Sequence, residues 1–171
     1  MHLLASVPRR PVPLEIRHAV AAEFAALADI CAAAYAPFVA GDHVYLAELR
    51  DVARRAVEAE LLVAADDGQV LGTVTFVPDG GPLGEIAGPR EAEFRMLAVD
   101  PAAHGRGVGT ALLRRVLDES RRRGCEGVVC SSLPEMQAAH RIYDRLGFRR
   151  APERDWSPLS GVDLLAFAIT L

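Results

Sequence analysis

The 171-residue chain is 51% hydrophobic and 25% charged, the balance of a folded globular protein, and its length suits one domain. Its 19 basic residues, all arginine, face 23 acidic ones; the net charge of -4 lacks the basic excess of a nucleic-acid binder and mildly favours an amine-bearing partner. The absence of lysine excludes a P-loop, and no apolar run approaches the roughly 20 residues that span a bilayer, so neither nucleic acid nor membrane is an expected partner.

Residues 1–13, MHLLASVPRRPVP, lack the apolar core of a signal peptide and are expected to form a flexible tail on a single domain. A short strand is predicted at Leu14–Arg17. Apolar residues at helical spacing, Val20, Phe24, Leu27, Ile30 and Ala34, then predict a helix over Ala19–Tyr35, broken by Pro37 and Gly41. Asp42 is a candidate cap for a second helix reaching about Glu58, with Leu46, Leu49, Val52 and Val57 inward. Strands at Leu61–Ala65 and Val70–Val77 flank Asp67-Gly68, a tight-hairpin signal. The Gly/Pro-rich stretch Pro78–Arg90 is a long loop, of the kind that often carries function.

A strand at Glu93–Val99 runs through Asp100-Pro101 into HGRGVG, and a helix follows over Val108–Arg123 with Leu112, Leu113, Val116 and Leu117 inward. Gly124 stops it. A buried strand spans Gly127–Ser131, a helix opens at Pro134 and ends at Gly147, and Arg149–Ser160 reads as irregular. Val162–Leu171 alternates as a last strand. The order β-α-α-β-β-β-α-β-α-β, with one further short strand near Phe148, describes a mixed α/β domain. Cys31, Cys125 and Cys130, sparse and without a CxxC pair, point to reduced thiols in a cytoplasmic protein and to no metal site.

The chemistry concentrates in MLAVDPAAHGRGVGTALL. Gly105, Gly107 and Gly109 let backbone N–H groups approach a ligand, and the helix N-terminus that follows favours a phosphate. Arg106 adds a charged donor. The dinucleotide pattern GxGxxG fails, because Thr110 stands where its third glycine belongs. The spacing that fits is Q/R-x-x-G-x-G/A, with His104 at its first position.

On EFRMLAVDPAAHGRGVGTALL, Glu93 to Leu113, and AAHRIYDRLGF, Ala138 to Phe148, the chain resembles the GCN5-related N-acetyltransferases. With the element order, the likeness extends over nearly everything from Leu14 onward. It implies a mostly antiparallel central sheet flanked by helices, acetyl-CoA as the acyl donor without a metal, and transfer to an amine of a small molecule or peptide. It also implies a strand bulge that offers Leu97, Ala98 and Val99 to the pantetheine arm, and a pyrophosphate loop made of His104, Gly105, Arg106, Gly107, Val108, Gly109 and Thr110. His104 replaces the usual Arg or Gln, and Met136 stands where many relatives have an Asn. A homodimer is an expectation from the family alone.

Amide formation from a thioester needs a neutral amine, a polarised carbonyl and a proton for the departing sulfur. Tyr143 matches the family's general acid, its phenol having a reference pKa near 10. Glu93 is the candidate base, acting through water or holding a cationic acceptor; the plain reading is a solvated charge at a strand end. Glu85 and Glu91 are its fallbacks in the neighbouring loop. Tyr35, Phe38, His43, Tyr45 and Trp156 are candidate lining for the acceptor, whose identity no motif selects. Two alternatives stand beside active transfer: a CoA-binding module of the same fold without catalysis, and an unrelated nucleotide-phosphate binder.

Overall fold

In a computed structural model, residues 13–40 and 43–171 are described; most of the expected tail and the Asp42 cap lie outside them. The strands are β1 (Glu15–His18), β2 (Glu60–Asp66), β3 (Gln69–Val77), β4 (Glu91–Val99), β5 (Gly127–Ser132), β6 (Arg149–Arg150), β7 (Trp156–Leu159) and β8 (Val162–Thr170). The helices are α1 (Phe24–Tyr35), α2 (Val44–Arg50), α3 (Val52–Glu58), α4 (Val108–Arg122) and α5 (Gln137–Leu146). The sheet runs β1-β2-β3-β4-β5-β8-β6, with β7 paired on β8, and every pairing is antiparallel except β4 with β5. The expected mixed α/β, mostly antiparallel architecture is the observed one. Among the described residues no helix is long and apolar enough to cross a membrane.

Several boundaries differ from the sequence expectation. Val20 precedes the helix instead of packing in it, and is 54% exposed. A single turn of 3-10 helix at Ala21–Glu23 leads into α1, fixed by Glu23, which accepts from the Val20 N–H and binds Arg17. The second predicted helix is two, because the chain breaks at Asp51, whose side chain caps α3 by accepting from the Arg54 N–H. The break resets the helical phase, so Val57, expected inward, is 87% exposed. The inward group is Arg55, which donates to Thr75 Oγ1 (2.8 Å) and to the Leu49 carbonyl (2.6 Å) at the end of α2. Helix α5 begins at Gln137 rather than Pro134, with Pro134-Glu135 forming a turn before it. The further short strand expected near Phe148 is β6, and the segment expected to be irregular also supplies β7.

Hydrophobic clusters cover both faces of the sheet. On one face α4 and α5 bury Leu112, Leu113, Val116 and Tyr143 against Leu62, Val74, Phe76, Ala92 and Phe94. On the other, α1 and α2 bury Ile30, Tyr35 and Leu49 against Met96 and Ala98. Phe94 and Met96 are two residues apart, so a regular strand would point both the same way. A β-bulge intervenes: Thr73 pairs with Ala98 and Thr75 with Arg95, which leaves Met96 and Leu97 opposite Val74 alone. Met96 takes φ +52° to make the bulge. Even-numbered residues thus face the α4 side before the bulge and the α1 side after it.

Candidate active site

The bulge lies where the sheet opens. Strands β4 and β5 pair only through Glu91–Glu93 and Gly127–Val129, and further on they no longer share a ladder. A cleft of about 850 Å³ occupies that opening. The β4 end (Phe94 to Leu97), the β5 end (Ser131, Ser132), the turn Leu133–Met136 and α5 form one side of its lining. Tyr35, Phe38, His43, Tyr45 and Trp156, the aromatic and histidine residues singled out for an acceptor, all line it as well.

Past the cleft, Asp100 accepts from the Ala102 N–H and turns the chain into the glycine loop. Gly105 and Gly107 adopt φ +80° and +75°, and Gly107 caps α4. The first N–H groups of α4 therefore point out of its N-terminus unpaired, beside Thr110. Gly109 serves a different end: a Cβ there would come within 2.9 Å of Ile142 Cδ1, so its smallness lets α5 approach α4. His104 is exposed on this loop. Arg106 is not free, since it forms an ion pair with Asp66 at the end of β2. Asp66 lies 40 residues away in sequence and no motif pointed to it. An open loop around a helix N-terminus, next to a split sheet edge, fits a diphosphate with a thin extended arm.

Tyr143 borders the cleft from α5, only 4% exposed, with its ring packed on those of Phe94, Phe148 and Phe167. Burial, and then the Cys130 thiol, push its phenol well above the usual range, against a hydrogen bond with Ser132 that lowers it. The Ser132 hydroxyl also meets His140 Nε2 at 3.0 Å. Burial lowers the His140 pKa, so its imidazole is neutral at pH 7. His140 lies one turn before Tyr143 on α5, and Ser132, from the end of β5, links the two.

Glu93 is neither at the cleft surface nor solvated; it is fully buried. Its Oε2 accepts from the backbone N–H groups of Glu85 (2.8 Å), Ile86 (3.0 Å) and Ala87 (3.1 Å), folding the Pro78–Arg90 loop back over β4. Its Oε1 is buried without a partner. Glu91 is bound by Arg154 at 2.7 and 3.0 Å and by the Gly88 N–H, and the Arg154 hydrogen bond lowers its pKa.

Glu85 is the loop carboxyl that reaches the cleft. It contacts Arg95 Nη2 at 2.6 Å, and Glu48 contacts the same nitrogen at 3.3 Å. Arg95 also donates to the Leu83 carbonyl. Burial raises the Glu85 pKa; Arg95 opposes this, but the negative charges of Glu93 and Glu48 nearby raise it further, and Glu85 ends at about 7. The cleft thus holds a carboxyl poised to exchange a proton near neutrality, and a phenol that keeps its own.

The sequence profile of the acetyltransferase (GNAT) family matches residues 25–148. The chain belongs to the GNAT family. Among solved GNAT structures similar to it, the yncA protein of Salmonella typhimurium, with its cofactor acetyl-CoA, is 26% identical at a TM-score of 0.66, over 92% of this chain and 94% of that one. A GNAT acetyltransferase of Brucella melitensis in complex with acetyl-CoA is 29% identical at a TM-score of 0.60, over 93% of this chain and 91% of that one. The mycothiol acetyltransferase of Cellulomonas flavigena is 36% identical over 121 residues, 63% of this chain and 33% of that protein. The chain spans about a third to a half of the length of the curated relatives it matches.

Proposed function

We propose that the chain transfers the acetyl group of acetyl-CoA directly to a primary amine, both bound at once in the cleft between β4 and β5. The observation that carries this reading is the pairing, in one cleft, of a carboxyl with a pKa of about 7 and a buried, protonated tyrosine, at the point where the sheet splits. Family membership and the acetyl-CoA held by its similar structures support the donor.

Acetyl-CoA supplies an activated acyl group. The backbone of Leu97, Ala98 and Val99 holds the pantetheine arm, and the N–H groups from Gly105 to Thr110 hold the diphosphate, with His104 and Arg106 at its rim. Glu85 takes a proton from the amine, directly or through one water, leaving a neutral nucleophile. As the N–C bond forms and the C–S bond breaks, Tyr143 protonates the departing sulfur and the nitrogen gives up its second proton to water. Ser132 and His140 link the phenol toward the surface and return the proton. Glu93, the candidate base by sequence, acts one step removed: it fixes the backbone that carries Glu85. Alignment of the two reactants supplies much of the remaining acceleration.

The test is free-thiol release from acetyl-CoA with a panel of amines, with Tyr143→Phe and Glu85→Gln beside the native chain. Amine-dependent release that falls at least tenfold in both variants supports the assignment. Tight acetyl-CoA binding with no turnover on any amine would instead identify a non-catalytic CoA-binding module.

A further inference from the structure

The cleft's own chemistry narrows the acceptor. Its charged lining consists of Glu48, Glu85, Glu135 and Asp163 against Arg95, with His43 beside them. The Arg95 guanidinium is not available to a ligand. It is 10% exposed and is already bound by Glu85, Glu48 and the Leu83 carbonyl. An acceptor carrying a carboxylate or phosphate would have to strip that cation from two carboxyls, or lie uncompensated among four of them. An ammonium meets the opposite field. Glu48 and Glu85 converge on a single nitrogen position, and a second cation at that end satisfies their remaining lone pairs.

Away from Glu48 and Glu85 most of the lining is apolar, with Glu135 and Asp163 also reaching it. Among the described residues, five large hydrophobic side chains are exposed, and three of them, Phe38, Val44 and Leu159, line this cleft. Such side chains gathered around a concave site mark a surface completed by an apolar ligand. Tyr45 and Trp156 add flat aromatic area, and the Trp156 N–H is already spent on Ser131 Oγ at 3.2 Å, so its ring offers packing only.

Resting on the transfer reading above, we propose that the acceptor is a primary amine on an aryl-alkyl body without an anionic group. Its nitrogen lies at Glu85 and Glu48, and its apolar body is directed toward Phe38, Val44 and Leu159.

The experiment compares phenethylamine with spermidine, aspartate and glucosamine 6-phosphate at pH 7.5 and fixed acetyl-CoA, following thiol release. Calorimetry of phenethylamine binding to the CoA-saturated protein runs in parallel. The proposal expects kcat/KM for phenethylamine at least tenfold above the other three. Higher kcat/KM for spermidine, aspartate or glucosamine 6-phosphate overturns the acceptor class while leaving acetyl transfer intact. If no amine is turned over, CoA-dependent phenethylamine binding upholds the class and rejects the transfer reading; no binding rejects the class. Leu159→Arg, at an exposed position, is expected to lower kcat/KM for phenethylamine at least threefold and to raise it for aspartate. Unchanged values for both amines refute contact between the mouth and the acceptor.

Discussion

Glu93 offers the sharpest test of how the site is built. The substitution Glu93→Ala removes the acceptor of three loop N–H groups, those of Glu85, Ile86 and Ala87. Each buried donor left unpaired costs about 1–3 kcal/mol. Residues 85–87 are not fully buried, so water recovers part of that loss, and removing the unpartnered Oε1 gives a little back. The net destabilisation is about 3 kcal/mol, a fall in Tm of roughly 6–12 °C for a chain of this size. Glu93→Gln keeps one acceptor oxygen at the same place and loses only about 1 kcal/mol. Urea denaturation gives the stabilities, and thiol release gives kcat and the amine KM. A loop anchor predicts that Gln retains most of kcat, while Ala loses stability and amine KM together. A general base predicts the reverse order: Gln loses at least a hundredfold in kcat with stability nearly unchanged. That second pattern, or an Ala variant as stable as the native chain, refutes the anchoring argument.

Three further outcomes are expected. Because Glu85 must be deprotonated to accept the amine's proton, kcat/KM rises with pH through about 7, and Glu85→Gln abolishes that limb; a native profile without an inflection there contradicts the assignment. Tyr143→Phe leaves the ring packing intact, so its melting temperature stays close to native while kcat falls by about a hundredfold; an unchanged kcat removes Tyr143 from the chemistry. Asp66→Ala frees Arg106, and His104→Arg adds a cation to the same loop; each is expected to tighten acetyl-CoA binding severalfold by calorimetry at low salt, with the gain shrinking as salt rises, and weaker binding in either variant argues against diphosphate at this loop.

Local signals carried much of this fold into the sequence. The glycine loop, the inward face of α4, the Asp67-Gly68 hairpin and the position of Tyr143 depend on residues close together in the chain, and the structure has each of them. Long-range pairings were hidden. The destination of Glu93 depends on the loop before it folding back, and a glutamate at a strand end gives no sign of that. The Arg106–Asp66 pair joins the first hairpin to the cofactor loop, and only the assembled sheet brings them together. The helical phase after Asp51 was misread because Leu46, Leu49 and Val52 fit one continuous helix well enough to hide the break. The further short strand expected near Phe148 is β6, whereas β7 escaped because Pro158 and the charged residues before it mask any alternation.

The bulge at Met96 and Leu97 has a bearing on how such a site diversifies. Ala92 and Phe94 pack under α4 and α5, whereas Met96 and Ala98, the alternate positions beyond the bulge, pack under α1 and α2, and Leu97 and Val99 take over the α4 side. A change at Phe94 is therefore felt by the Tyr143 ring, and a change at Met96 by α1 and α2. On the proposed function, a substitution at Met96 reshapes the cleft without touching the layer that packs Tyr143. Deleting Leu97 would restore a regular strand, leaving Ala98 and Val99 on their layers while carrying Met96 from the α1 side to the α4 side.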